Sequence, residues 1–160
     1  MVTRLFGWFA LVCLVLACSS CGFHSKNHMV QYLGKSEDEI VQILGSPTGW
    51  CGGPAEGEDP ATAAPRRIMY RMETATLPEP ITGLDFVMSS DGFCREVAGF
   101  TRGFASPEDL LETIGLPGKD LVRTEEDDTG IRYEASEAKT VLVYKPNRVP
   151  DRYSDFLVTG

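Results

Sequence analysis

Apolar residues recur at helical spacing in two short stretches of the chain that share their start and stop signals. The first is Ser36–Pro47, SEDEIVQILGSP, and the second is Ser106–Pro117, SPEDLLETIGLP. Each begins with a serine that can cap a helix, has an acid three residues later, and ends at Gly-x-Pro, which stops a helix. The pattern predicts helices over about 37–44 and 107–114, and it indicates an internal repeat.

Alternation of apolar and polar positions after each predicted helix is typical of strands with one buried face. Asp91-Gly92, set between two such runs, indicates a hairpin turn. The predicted strands cover residues 68–72, 83–88, 93–100, 131–134, 140–144 and 155–158, and the loops cover 48–67 and 118–130. The sequence therefore predicts an α+β fold: two tandem helix-plus-antiparallel-sheet repeats, with the helices on one face of the sheet or sheets.

The N-terminus carries the pattern of a bacterial lipoprotein signal. One cation, Arg4, precedes an apolar run that ends at Ala17, too short for a bilayer span of about 20 residues but suited to a secretion signal. Val15-Leu16-Ala17-Cys18 has the form cut by the lipoprotein signal peptidase, so Cys18 is the predicted lipidation site. The alternatives are an ordinary cleaved signal and a weaker register with Cys21 as the acceptor.

These signals predict the organisation of the whole chain and its location. The predicted parts are a lipoprotein signal peptide at 1–17, a lipidated tether at 18–28, a first helix-sheet unit at 29–103 and a second at 104–160. Acyl chains on Cys18 would hold the protein on the periplasmic face of a membrane in the cell envelope. Ser19, in place of aspartate after the lipidated cysteine, favours the outer membrane over the inner one.

The charge and residue types argue against nucleic-acid binding, metal binding and catalysis. A formal net charge of −8 opposes binding to nucleic acid, whose phosphates require a basic face. His24 and His28 lie near the tether without partners at ligand spacing, so we predict no metal site. We predict no catalytic residues and no cofactor, because the chain lacks a Gly-x-Ser-x-Gly motif and a histidine that could activate a folded-region cysteine.

Three cysteines remain once Cys13 leaves with the signal and Cys18 is acylated. They are Cys21, Cys51 and Cys94, and an oxidising compartment permits a disulfide between two of them. Cys51–Cys94 is the preferred pair, since both residues fall in the folded part. All three pairings nevertheless stay open, because sequence alone does not determine connectivity.

The aromatic residues are the candidate anchors for a protein partner. Tyr70 and Tyr133 occupy equivalent positions in the two repeats, which favours a role for both in the cores. Trp50 lies in the Gly- and Pro-rich loop and is therefore the predicted partner-binding residue. The remaining candidates are Phe93, Phe100 and Phe156.

The order of these elements resembles a known family. A helix with a Gly-x-Pro stop, a long loop, a strand with Tyr70 and a hairpin with Asp91-Gly92 at its tip is similar to the SmpA/OmlA-type outer-membrane-assembly lipoproteins. The matching residues include Gly34-Lys35-Ser36, Val41, Leu44-Gly45-Ser46-Pro47 and Leu84-Asp85-Phe86. Two such units in tandem also resemble the β-lactamase-inhibitor-protein fold.

The sequence thus predicts a membrane-anchored, non-catalytic protein-interaction or scaffold module of the cell envelope. The resemblance implies a role in outer-membrane assembly and an envelope protein as partner. The alternative hypothesis is inhibition of a periplasmic hydrolase through the loop at 48–67.

Overall fold

A computed structural model gives the architecture of the chain. It describes residues 28–59, 62–73, 75, 77–116, 121–135, 139–144 and 155–160. A 3₁₀ helix, Met29–Tyr32, precedes helix α1, Glu37–Leu44, and helix α2 is Pro107–Thr113. The strands are β1 Gly49–Cys51, β2 Arg67–Arg71, β3 Ile81–Met88, β4 Cys94–Thr101, β5 Leu121–Glu126, β6 Gly130–Ala135, β7 Thr140–Tyr144 and β8 Phe156–Thr159.

All eight described strands belong to one antiparallel sheet. Their order across the sheet is β1-β2-β3-β4-β8-β7-β6-β5, so β1 and β5 are its two edges. The centre is the pairing of β4 with β8, in which Gly99 lies opposite Phe156 and Val97 opposite Val158. Strands from both halves of the chain therefore share a continuous hydrogen-bonded ladder.

This architecture corrects the predicted fold class. The structure is a largely β fold with two short helices, and the prediction of two tandem helix-plus-sheet repeats is wrong. The helices have eight and seven residues, while strand pairing runs unbroken across the chain's two halves. The repeated helix signals are local, and they do not determine how distant strands pair.

The two helices themselves form where the sequence predicts them. Ser36 and Glu39 make the reciprocal capping box of α1: the Ser36 amide donates to Glu39 Oε2 at 2.9 Å, and the Glu39 amide donates to Ser36 Oγ at 3.4 Å. The hydrogen bond from the Ser36 backbone lowers the pKa of Glu39. Ser106 caps α2 by accepting from the Asp109 amide at 3.2 Å.

One face of the sheet carries the hydrophobic core. Phe86, fully buried on β3, has its ring centroid 5.1 Å from that of Tyr32 and 5.7 Å from that of Tyr70, both in edge-to-face geometry. The helices contribute further buried residues to the same cluster, namely Ile40, Leu44, Leu110 and Leu111. Tyr32 attaches the 3₁₀ helix to the sheet, so the chain is anchored before α1 begins.

The predicted strands are present with small shifts in their bounds, and two strands were not predicted. β1 lies within the predicted loop at 48–67, and β5 lies within the acidic segment predicted as a loop at 118–130. Both are edge strands with mostly exposed side chains, so neither shows the alternation by which sequence patterns reveal a strand.

Several predictions concern residues outside the described part of the chain. The signal peptide at 1–17, the lipidated Cys18 and nearly all of the tether lie outside it, and the domain boundaries at 29–103 and 104–160 stay predictions. Within the described residues, none of the helices has the length and apolarity needed to cross a bilayer.

The two equivalent tyrosines differ in their hydroxyl groups. The Tyr70 hydroxyl donates to the Gly45 carbonyl, just after α1, at 2.9 Å. The Tyr133 hydroxyl is buried and has no hydrogen-bond partner among the described residues. Burial raises the pKa of Tyr70 to about 12 and also raises the pKa of Tyr133, so each hydroxyl loses its proton at a higher pH than an exposed tyrosine would.

We expect phenylalanine to lower stability at position 70 but not at position 133. Tyr70→Phe removes a hydrogen bond and leaves the Gly45 carbonyl without that donor, at a cost of about 1–2 kcal/mol in the free energy of unfolding. Tyr133→Phe removes a hydroxyl that is already unsatisfied, so its cost is near zero or negative. Denaturant unfolding of both variants tests this, and an equal loss in the two would contradict it.

Candidate functional site: the sheet edge at Trp50

Trp50, the predicted partner-binding residue, lies at the middle of the edge strand β1. Its side chain is 51% exposed, whereas most aromatic residues of the described chain contribute to the core. The indole Nε1–H donates to Glu37 Oε1 at 2.6 Å. This bond fixes the ring against the first turn of α1, so the exposed indole is held in one orientation.

Glu37 also binds Arg66, at the far end of the long loop. The Arg66 guanidinium donates to Glu37 Oε2 through Nε at 3.0 Å and to Oε1 through Nη2 at 3.1 Å. A bidentate arginine–carboxylate pair is geometrically specific as well as charge-assisted. One carboxylate therefore joins β1, α1 and the end of the long loop just before β2.

The predicted loop at 48–67 is paired at its base. The Gly53 amide donates to the Ala64 carbonyl at 2.9 Å, and at the other end of β1 the Thr48 amide donates to the Met69 carbonyl at 2.8 Å. Gly52 has φ +69°, and a Cβ there would lie 2.3 Å from the Pro65 carbonyl oxygen, so only glycine fits. These contacts continue the β1–β2 ribbon beyond its strand bounds.

A groove of about 400 Å³ lies between this loop and the β3–β4 hairpin. Its lining includes Glu37 and Arg66 from the Trp50 network and Arg95 from β4. Phe93, which is 46% exposed, pairs with Ser36 in an isolated bridge beside the groove. Two of the four large exposed hydrophobic side chains of the described chain, Trp50 and Phe93, thus lie next to the N-terminus of α1.

The other predicted anchors have structural roles. Phe156, Tyr70 and Tyr133 are buried in the core, as the equivalent positions of the two tyrosines indicated. Phe100 is half-buried, and the Arg71 guanidinium carbon lies 5.1 Å from its ring centroid. Sequence reasoning missed Glu37 and Arg66, because their partnership with Trp50 spans the long loop and leaves no local pattern.

The predicted Cys51–Cys94 disulfide is absent from the structure, where both cysteines are free. Cys51 lies on β1 and Cys94 on β4, separated by two strands. Three interstrand spacings of roughly 4.8 Å place their Cα atoms about 14 Å apart, beyond the roughly 7 Å that a disulfide can bridge. The prediction treated both residues as part of one fold but had no information on strand order.

The two thiols are expected to differ strongly in reactivity. Cys51 is exposed, whereas Cys94 is buried and its thiol donates to the Glu96 carbonyl at 3.4 Å. Burial raises the pKa of Cys94 to about 12, which keeps the reactive thiolate scarce at pH 8.

We expect iodoacetamide at pH 8 to alkylate Cys51 in the folded chain and to leave Cys94 unmodified until denaturant is added. Peptide-level mass spectrometry with and without denaturant measures this difference. Equal modification of the two cysteines in the native protein would contradict the described burial.

Comparisons with family models, with curated proteins and with solved structures found no match for this chain. Within the described residues, no group of three or more histidine, cysteine, aspartate or glutamate side chains is arranged to hold a metal ion. The arrangement at the β1 edge instead offers an exposed aromatic ring, a fixed carboxylate–guanidinium pair and an adjoining groove. Such a surface is suited to contact with another molecule.

Proposed function

We propose that this chain is a membrane-anchored bacterial lipoprotein that acts as a non-catalytic protein-interaction module in the cell envelope. The single observation that carries the interaction role is the half-exposed indole of Trp50, fixed by Glu37 at a sheet edge. Tryptophan and arginine are the residues most enriched among binding hot spots, and Trp50 and Arg66 share the same carboxylate. The lipid anchor rests on the Val15–Cys18 motif in the sequence.

The pre-organisation of this surface supports the proposal. An exposed side chain normally loses rotamer freedom when a partner immobilises it, at a cost of about 0.5–1.5 kcal/mol. The hydrogen bond to Glu37 already fixes the rotamer of the indole in the free protein, so less rotamer freedom is lost when a partner binds. The partner is an envelope protein, and the sequence resemblance implies one that takes part in outer-membrane assembly.

A second candidate is inhibition of a periplasmic hydrolase through the loop at 48–67. The observation that favours it is the closed base of this loop, held by the Gly53–Ala64 hydrogen bond and by the Arg66–Glu37 pair. A loop that is fixed at both ends is suited to fill an enzyme cleft at low entropic cost.

The proposal is tested by site-specific crosslinking in the native cell. A photoreactive residue replaces Trp50 in one strain and Val122, which is 67% exposed on the opposite edge, in a control strain. We expect position 50 alone to capture a protein of the envelope, identified by mass spectrometry. A barrel-assembly component would support the assembly role, and a soluble hydrolase would support the inhibitor role. Equal capture from both positions, or none from position 50, would refute the interaction surface.

A further inference from the structure

The two edges of the sheet differ in how they are protected against pairing with another strand. β5 carries ion pairs between Arg123 and Glu126 and between Glu125 and Arg132, and its register shifts between Arg123 and Glu125. Charges, irregular register and a very short strand are among the features that prevent an edge strand from pairing. β1 is short, with three residues, but its register is regular and residues 48–53, TGWCGG, are all uncharged.

The hydrogen-bond pattern of β2 shows which backbone groups of β1 face outward. The Met88 amide donates to the Arg66 carbonyl, whereas the Arg71 amide donates to Thr48 Oγ1 on the β1 side, both at 2.8 Å. Because backbone groups alternate in direction along an antiparallel strand, residues 67 and 69 face β1. Their partners at positions 51 and 49 face β2. The N–H and C=O of Trp50 are therefore directed to the outer edge, where no strand of the described residues pairs with β1.

The side chain of Trp50 lies where an added strand would contact it. Trp50 pairs with Ile68, which is buried in the core, so the indole extends from the helix-bearing face of the sheet. A strand that pairs with β1 would place one of its side chains about 5 Å from Trp50, measured between Cβ atoms. An apolar residue at that position would cover the exposed part of the indole.

We propose that β1 is the docking edge for an extended segment of the partner protein, which joins the sheet as an additional strand. This inference rests on the proposed interaction function and specifies its chemistry. Main-chain hydrogen bonds to Trp50 supply the pairing, and an apolar side chain against the indole supplies selectivity. Lysine or arginine residues flank that apolar position in the partner segment.

The basic character of the partner segment follows from charge. Residues 36–59 contain six acids and no lysine or arginine, and the whole chain carries −8. Lys35 pairs with Glu39, Arg66 pairs with Glu37, and Arg67 lies opposite Cys51, so the six acids still outnumber these three cations. A second copy of this chain meeting β1 edge to edge would bring two such acidic segments together, which is unfavourable. The occupant is therefore a strand of a different, locally basic protein.

The test is selection of short random peptides, displayed on phage, against the intact chain. We expect the recovered peptides to alternate apolar residues with lysine or arginine and to protect the Trp50 backbone amide from hydrogen exchange. Methylation of alternate peptide nitrogens should abolish binding, because it removes the main-chain donors of an added strand.

Two lysine substitutions at exposed edge positions form a test and its matched control. Cys51→Lys introduces on β1 the kind of charge that protects β5, and it also repels a basic segment, so peptide binding should weaken by about tenfold or more. Thr124→Lys, on the opposite edge, should leave binding unchanged. Circular dichroism of both variants verifies that they are folded.

Several results would overturn the inference. The first is that Cys51→Lys leaves peptide binding intact. The second is that the selected peptides are acidic, or bind equally well when methylated. The selection could also yield no binder, or the chain could dimerise through β1. If the peptide experiment fails but crosslinking from position 50 in cells captures a protein, strand addition is rejected and the proposed interaction function stands. Failure of that capture would reject the proposed function itself.

Discussion

Replacing Gly99 by alanine is expected to be among the most damaging single substitutions in this protein. Gly99 lies opposite Phe156 where β4 pairs with β8, and a Cβ on Gly99 would lie 2.0–2.7 Å from the Phe156 ring. Phe156 is fully buried and cannot move away without displacing other core residues. We expect a loss of about 3 kcal/mol or more in the free energy of unfolding, at the upper end of overpacking effects.

Two further variants make this prediction specific. Gly49→Ala serves as the matched control, because a Cβ on Gly49 meets only Met69 Cε at an ordinary 3.5 Å, and its cost should stay below about 1 kcal/mol. Adding Phe156→Leu to Gly99→Ala should recover part of the loss by making room for the new methyl group. Urea unfolding of the four proteins measures these effects, and equal costs for the two glycine substitutions would refute the close packing.

The contact between Gly99 and Phe156 also shows what the sequence could not predict. Both residues fall in or near predicted strands, and the alternation of apolar positions there was sufficient to identify β4 and β8. Which strands become neighbours depends on pairing between segments that are distant in the chain, and no local pattern encodes it. The fold-class error follows, since two separate units and one continuous sheet share the same local signals.

The helices could be predicted because their determinants are local. The capping box of Ser36 and Glu39 and the serine cap at Ser106 use residues three positions apart, so the sequence alone contains the full arrangement. Strands β1 and β5 lacked such signals. An exposed edge strand has no buried face, so its sequence need not alternate apolar and polar residues. It is a strand because it is hydrogen-bonded to its neighbour in the sheet.

The candidate site was predictable only where its signal is local. Trp50 was identified because a large aromatic residue in a stretch of small and polar residues is unusual, and the structure places it at the surface. The carboxylate that orients it and the arginine that shares this carboxylate come from α1 and from the end of the loop. Only the paired base of the loop brings these side chains together.

The strand order explains why the Cys51–Cys94 prediction failed, whereas the Trp50 prediction does not depend on that order and remains open. A disulfide requires a specific short distance between two backbones, and the sheet order separates them. A surface contact requires only exposure and a fixed orientation, which depend on local neighbours. A wrong strand order therefore invalidates a predicted contact between two residues, but it does not invalidate the predicted exposure of a single residue.

Replacing Phe86 by alanine is the second substitution for which we expect a large loss of stability. Phe86 is fully buried at the centre of the core, with edge-to-face contacts to Tyr32 on the 3₁₀ helix and to Tyr70 on β2. Truncation leaves a cavity between the 3₁₀ helix and the paired strands β2 and β3. We expect a cost of about 3–5 kcal/mol in the free energy of unfolding.

Phe93→Ala is the matched control, because it removes the same side chain from a position that is 46% exposed and lies immediately before β4. Its cost should stay within about 1 kcal/mol, since the side chain leaves little cavity behind. A double-mutant cycle between Phe86→Ala and Tyr32→Ala should give an interaction energy of about 0.5–1.5 kcal/mol, the range for an aromatic pair. Additive effects would mean that the 3₁₀ helix is not anchored through Phe86. The attachment of this segment to the sheet would then depend on the backbone bond from the Gly34 amide to the Cys94 carbonyl on β4.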